Sequence, residues 1–264
     1  MMSQTLRLSD GATARLLVAG AGDPLLLIHG VGWRAEAWGP QIAALATSAR
    51  VIAVDMPGHG DSTPLPEGAR LPDYVAWAAR VIAALGLGPV NVAGHSMGSL
   101  IAAGLAVEHP DLVRRVALLN GVHRRDEAAR AAVLARADQI SSGQGGIDAP
   151  LARWFTDNQS TQRQQVAGWL AQVSPTGYAA AYRAFAEGDG TYADRLGEIR
   201  CPMLALTADG DANSTGQMSR SMAALAPMGR AVVVPGHRHM VNLTATETVS
   251  EALRNWLSTK EFQE

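Results

Sequence analysis

"NVAGHSMGSL", residues 91–100, puts a lone serine between two glycines where a short apolar strand runs straight into an Ala-rich helix. Gly94 and Gly98 leave room for strand and helix to cross closely, and the turn holds the Ser96 side chain clear of the backbone. Solubility asks nothing of this kind from a hydroxyl. Attack on a substrate does, so G-x-S-x-G in a strand–turn–helix setting points to Ser96 as a nucleophile.

Outward from this turn, strands and helices alternate. Strands are predicted at 13–19, 24–28, 51–54, 90–93, 113–120, 202–207 and 231–234. Helices are predicted at 36–46, 72–86, 97–109, from about 214, and at 245–257. Strands that are apolar on both faces and separated by helices predict a largely parallel sheet covered on both sides. The alternation breaks after residue 120. Ala-rich helical segments at 124–140, 166–173 and 177–188 follow, separated by Gly, Ser and Pro. The chain therefore divides into an α/β core (1–120 and 199–264) and a helical insertion (121–198).

The 264 residues suit one α/β domain, and a net charge of −2 gives no electrostatic case for nucleic acid or an anionic membrane. No apolar run approaches the roughly 18 residues of a membrane span, and the opening "MMSQTLRLSDG" lacks the apolar core of a signal peptide. The single cysteine, Cys201, leaves no intramolecular disulfide and argues against a Cys-based zinc site. The expectation is a cytoplasmic protein that needs no metal or organic cofactor and works on a small molecule. The sequence carries no signal for an oligomeric state.

A serine hydroxyl is a poor nucleophile at neutral pH. It needs a histidine base, and the histidine needs a carboxylate to fix its tautomer. In this setting the chain order is Ser, acid, His, with acid and base in loops at the carboxyl ends of later strands. Asp209 and Asp211 follow the strand at 202–207, and "PGHRHM" after the strand at 231–234 offers His237 and His239. Asp55 also ends a strand but precedes Ser96, and Asn120 stands at another acid position without a charge. His29 and His59 lie in Gly-flanked turns, His95 is the variable residue of the motif, and His109 ends a helix. For a developing oxyanion, the backbone donors are the Met97 N–H at the helix start and the Val31 N–H in "HGVG" (29–32).

Taken together, "LIHGVG", "DMPGHGDS", "GHSMG", the strand followed by Asp209 and Asp211, and "GHRHM" resemble the α/β-hydrolase fold superfamily over about residues 13–258. Within it the chain is similar to the 3-oxoadipate enol-lactonase-like and cofactor-free haloperoxidase-like esterases. "SPTGYAAAYRAFAEGD" (174–189) resembles their helical cap. The resemblance implies a mostly parallel eight-stranded sheet with a helical cap inserted after strand six. It assigns the acid to Asp211, with Ala208 where relatives carry glycine, and the base to His239, which precedes a methionine. Ser96 disfavours relatives with an aspartate nucleophile, the haloalkane dehalogenases and epoxide hydrolases. The implied activity is hydrolysis of a small carboxylic ester or (enol-)lactone through an acyl-enzyme on Ser96. The same triad also serves C–C bond hydrolysis, lyase and acyl-transfer chemistry, and non-catalytic receptors and scaffolds share the fold. Expected substrate contacts are Trp33 beside the oxyanion loop, His123, Arg124 and Arg125 where the insertion begins, and Trp154 and Tyr178 within it. An arginine matches a carboxylate with two parallel hydrogen bonds, so Arg124 or Arg125 predicts a preference for an anionic ester or lactone.

Overall fold

The computed structural model describes residues 1–259; the last five residues of the predicted core segment 199–264 lie outside them. Among the described residues the strands are β1 (Met2–Arg7), β2 (Thr13–Ala19), β3 (Asp23–Ile28), β4 (Ala49–Val54), β5 (Val90–His95), β6 (Val113–Leu119), β7 (Met203–Ala208) and β8 (Gly229–Val234). The helices are α1 (Gly39–Leu45), α2 (Leu71–Leu85), α3 (Met97–Glu108), α4 (Glu127–Ser141), α5 (Asp148–Trp154), α6 (Ser160–Gln172), α7 (Pro175–Gly188), α8 (Gly216–Leu225), α9 (Val241–Thr244) and α10 (Thr246–Leu257). The strands form one sheet in the order β1-β2-β4-β3-β5-β6-β7-β8. β1 pairs antiparallel with β2 and β2 antiparallel with β4, and all other neighbours are parallel.

The unbroken apolar run of β3 explains the layering. Leu25, Leu26, Leu27 and Ile28 are all fully buried, yet successive side chains point to opposite faces of a strand. Leu26 and Ile28 enter one core layer and Leu25 and Leu27 the other. The first layer is closed by α2 and α3, including Tyr74, Val75, Ile82 and Ile101. The second is closed by α1 and α10, through Ile42, Leu45, Val249, Leu253 and Trp256. α2 shows how sequence bounds an element. The Asp73 carboxylate accepts the Arg70 N–H at its start (2.7 Å), and Gly86 at its end takes a left-handed φ of 62°.

The insertion after β6 comprises α4 to α7. α4 packs on α7, and α7 rests against α2 and α3. Leu151, Phe155, Leu170 and Ala181 join the same apolar layer as α2 and α3, so the insertion shares the core of the sheet.

α6 begins at Ser160, earlier than the predicted 166, α9 has no predicted counterpart, and three further elements differ from expectation. β1 pairs along the sheet edge although five of its six residues are exposed, which leaves no apolar alternation to read. The predicted helix at 36–46 is a 3₁₀ turn (Ala35–Trp38) that runs directly into α1 at Gly39, with Pro40 in the first turn of α1. α5 is an additional short helix with Pro150 inside its first turn, where a missing N–H costs nothing.

Candidate active site

Ser96 joins β5 to α3 with φ 56° and ψ −117°, a left-handed conformation that is unfavourable for a side chain-bearing residue and persists only when its surroundings fix it. Here the flanking glycines are indispensable. A Cβ on Gly94 would lie 1.9 Å from the Gly98 carbonyl oxygen, and a Cβ on Gly98 would lie 2.2 Å from the Ile28 oxygen of β3. The Ser96 N–H donates to Leu119 O (2.9 Å), which ties the turn to β6, and the Ser99 hydroxyl donates to Ser96 O (2.6 Å).

Asp211 follows β7 and is almost fully buried. Its Oδ1 accepts the N–H groups of Asn213 (2.8 Å) and Ser214 (3.2 Å); its Oδ2 accepts Asn120 Nδ2 (2.8 Å) and His239 Nδ1 (2.8 Å). Burial alone would raise its pKa. The charge and hydrogen bond of His239, with those of Asn120 and Asn213, outweigh burial and hold the carboxyl below its usual range. His239 Nδ1–H is thereby committed to the Asp211 carboxylate, which fixes the orientation of the ring. The ring sits among Trp33, His95 and Trp154, with centroids 5.9, 5.2 and 5.9 Å away.

The alternative acid and base do other things. Asp209 Oδ1 accepts the Gly236 N–H (2.9 Å), and His237 Nδ1 contacts Thr244 Oγ1 (2.9 Å), so both brace loops. Asp55 is bound to Arg15 Nη1 (2.9 Å) and to the Ala35 N–H (2.6 Å).

The 29–32 loop is held by two histidines that the sequence assigned only to turns. His29 Nδ1–H donates to Gly30 O (2.7 Å) while its Nε2 accepts the Met56 N–H (2.9 Å). His59 Nε2 accepts the Gly32 N–H (2.9 Å). Burial keeps both rings neutral, pushing His29 down to about 4 and His59 to about 3. Among the described residues no protein group accepts the Val31 N–H, and Met97 opens α3, where an N–H has no acceptor within the helix. His95 is likewise more than a variable position. Its Nε2–H donates to His239 O (2.9 Å), which fixes the loop that carries His239. A bond to a partner far away in sequence leaves no local signal, and this is why the links of His29 to Met56, His59 to Gly32, His95 to His239 and Asn120 to Asp211 are not legible in the sequence.

Of the expected substrate contacts, the structure gathers Trp33, Trp154 and Tyr178 at this place. Trp154 of α5 packs edge-on against Trp33 (5.5 Å). Tyr178 of α7 covers the 29–32 loop, since a Cβ on Gly32 would lie 3.0 Å from its Cε2. Arg125 is buried, paired with Asp189 (3.3 Å) and stacked over the Phe185 ring (4.4 Å). Arg124 turns outward, half exposed, and pairs with Asp194. His123 is half-buried against Ala193 O (3.4 Å), lining a small cavity with Ser99 and Tyr192. Among the described residues no three His, Cys, Asp or Glu side chains form a group that could hold a metal ion, and no helix is long and apolar enough to cross a membrane.

A mostly parallel sheet with a strand–Ser–helix elbow, and a buried Asp–His pair on loops beyond later strands, defines an α/β-hydrolase architecture. The chain belongs to the alpha/beta hydrolase fold family, whose model matches residues 23–246. It is 51% identical to the (E)-2-((N-methylformamido)methylene)succinate hydrolase of Acinetobacter baylyi over 98% of this chain and 99% of that protein. Among solved structures it is similar to a thermophilic esterase from Thermogutta terrifontis (TM-score 0.87, 25% identity, 97% and 98% of the two chains). It also shares the fold of the enol-lactonase from Burkholderia xenovorans LB400 (TM-score 0.85, 23% identity, 97% and 100%). The chain is a hydrolase of this fold.

Proposed function

We propose that the chain is a serine hydrolase that cleaves an acyl bond in a small unsaturated dicarboxylate. The observation that carries this is the Asp211–His239 hydrogen bond, 2.8 Å long and buried, on two loops at the carboxyl edge of the sheet that presents Ser96. In this reading Ser96 attacks the acyl carbonyl while His239 takes its proton and Asp211 holds the imidazolium. The N–H groups of Met97 and Val31 receive the oxyanion. His239 then protonates the leaving group and activates water, which releases the acid and restores Ser96.

In this reading the substrate class follows the name of the Acinetobacter baylyi relative. Its named substrate has a formyl group on a nitrogen attached to an alkene carbon of a succinate. Amide nitrogen is a poor leaving group, but this one is vinylogous: its electron pair delocalises through C=C into a carboxyl as the C–N bond breaks. An enol-lactone expels an enolate for the same reason, so the expected small ester or (enol-)lactone and the N-formyl compound ask the same chemistry of this chain. Trp33, Trp154 and Tyr178 would wall the substrate, with Arg125 as a cationic contact. Arg124 and His123 would stand further out.

The test is Ser96→Ala, assayed against (E)-2-((N-methylformamido)methylene)succinate and p-nitrophenyl acetate. Turnover of both is expected to fall by about 10⁴–10⁶-fold, with an unchanged circular dichroism spectrum. A variant keeping more than about a tenth of wild-type activity would remove Ser96 from the reaction.

A further inference from the structure

Tyr178, Tyr182 and Phe185 fall at i, i+4 and i+7 on α7, so they line one face of that helix. Tyr178 meets the oxyanion loop at Gly32. Tyr182 packs on Tyr178 (5.9 Å), Phe185 on Tyr182 (5.8 Å), and the Arg125 guanidinium on Phe185 (4.4 Å). A continuous wall therefore leads from the oxyanion loop to Arg125.

Cations converge on this wall. Arg136 of α4 acts electrostatically on the Tyr178 hydroxyl, and Arg125, Arg136 and Arg153 all act on the Tyr182 hydroxyl. The Arg125 side chain is only 4% exposed. Among the described residues, its Nη2 and the Nε of Arg136 are buried without a hydrogen-bond partner. A buried guanidinium donor with no acceptor is unfavourable unless something else meets it. Asp189 does not remove the imbalance, because Arg130 shares it at 3.5 Å. Burial raises both tyrosine hydroxyls, Tyr178 to about 12, so each stays protonated and able to donate.

We infer that Arg125 and Arg136, with the hydroxyls of Tyr178 and Tyr182, form a pocket that binds the carboxylate of a small dicarboxylate remote from the scissile bond. Arg153, exposed and bonded to Asn213 Oδ1 (3.4 Å), stands at the rim beside the loop that carries Asp211. The inference rests on the hydrolase reading above and names how its substrate class is recognised: guanidinium forks and phenol donors distinguish a carboxylate from its neutral ester, which an apolar wall alone would not.

The test is calorimetric titration of succinate into the full-length chain. Wild type is expected to bind succinate and not dimethyl succinate. Arg125→Gln and Arg136→Gln should each weaken succinate binding at least about tenfold, and Arg153→Gln less than about threefold. Unchanged affinity in Arg136→Gln, or dimethyl succinate binding as well as succinate, overturns the pocket. Arg125→Gln loses the Asp189 pair and could fail to fold, in which case Arg136→Gln and Tyr182→Phe decide the matter, the latter expected to weaken binding by about threefold or more. Absence of succinate binding to wild type, with p-nitrophenyl acetate turnover lost in Ser96→Ala, overturns the pocket and spares the hydrolase reading. Succinate binding with undiminished turnover in Ser96→Ala does the reverse.

Discussion

Ser96 and Asn120 are two of the three non-glycine residues held at positive φ among the described residues, and they end neighbouring parallel strands. Each is pinned by a backbone bond to the next strand, Ser96 N–H to Leu119 O (2.9 Å) and Asn120 N–H to Leu206 O (2.7 Å). Such conformations cost on the order of 1–3 kcal/mol each. From its position Asn120 reaches Asp211, donating Nδ2–H to Oδ2 (2.8 Å). The two aspartates after β7 make the sharpest test at this scale. Asp211→Asn removes the charge that accepts His239 Nδ1–H, and kcat/KM is expected to fall about 10⁴-fold. Asp209→Asn keeps an oxygen for the Gly236 N–H and should cost less than about threefold. Steady-state kinetics of the pair checks the assignment, and a larger loss at Asp209 would transfer the role. The sequence brought the choice down to these two residues and went no further from spacing alone, because both leave the same strand two positions apart. What separates them is the side chain's partner, Gly236 for one and His239 for the other.

At the scale of elements, α5 links the insertion to the loop that carries Arg238 and His239 and to Trp33. Arg238 Nη1 donates to Ala152 O (2.9 Å) and Phe155 O (2.7 Å), capping the carbonyls at the end of α5. Its neighbour His239 lies under Trp154, the last residue of that helix. Arg238→Ala should free α5 and widen the wall over His239, raising KM about three- to tenfold, roughly 1 kcal/mol, with a smaller effect on kcat. A wild-type KM in this variant would show that α5 is held by other means. The sheet itself was legible because its strands are apolar on both faces and its turns carry glycine at the few positions where a Cβ would strike backbone, Gly94 and Gly98 above all. α5 was not legible: it is seven residues long, too short for a helical period, with Pro150 inside it. β1 was hidden for the opposite reason, since exposure on both faces imposes no pattern on its residues. The positions of Arg124 and Arg125 show the same limit. They are adjacent in sequence, yet Arg124 takes φ 50° and faces outward while Arg125 is buried, and only the fold distinguishes them.

For the whole molecule, three buried histidines tie stability to pH. His29, His59 and His95 are fully or almost fully buried, and burial is the largest cause holding them at about 4, about 3 and about 3, against an ordinary 6.5. Above pH 6.5 both the folded and the unfolded chain carry these rings neutral, and they contribute no slope. Below pH 6.5 the unfolded chain takes up a proton on each ring while the folded chain does not until about pH 4. Stability therefore falls as pH falls through this window, by up to about 1.4 kcal/mol per pH unit for each histidine. Asp211 and Glu36, held below the ordinary carboxylate range, add to the loss at the acid end, and Asp55, raised by burial, opposes it. Three rings acting together approach 4 kcal/mol per pH unit at most, a large share of the roughly 5–15 kcal/mol that holds a typical domain. The urea midpoint is thus expected to drop steeply between pH 6.5 and 4.5, with cooperative unfolding near the lower end. His59→Gln, whose amide oxygen can still accept the Gly32 N–H, should remove one proton from the slope, so its midpoint falls less steeply than that of wild type. A midpoint that stays flat from pH 6.5 to 5 in the wild-type chain would mean that these rings are already charged in the fold, and that the 29–32 loop is not held by neutral acceptors.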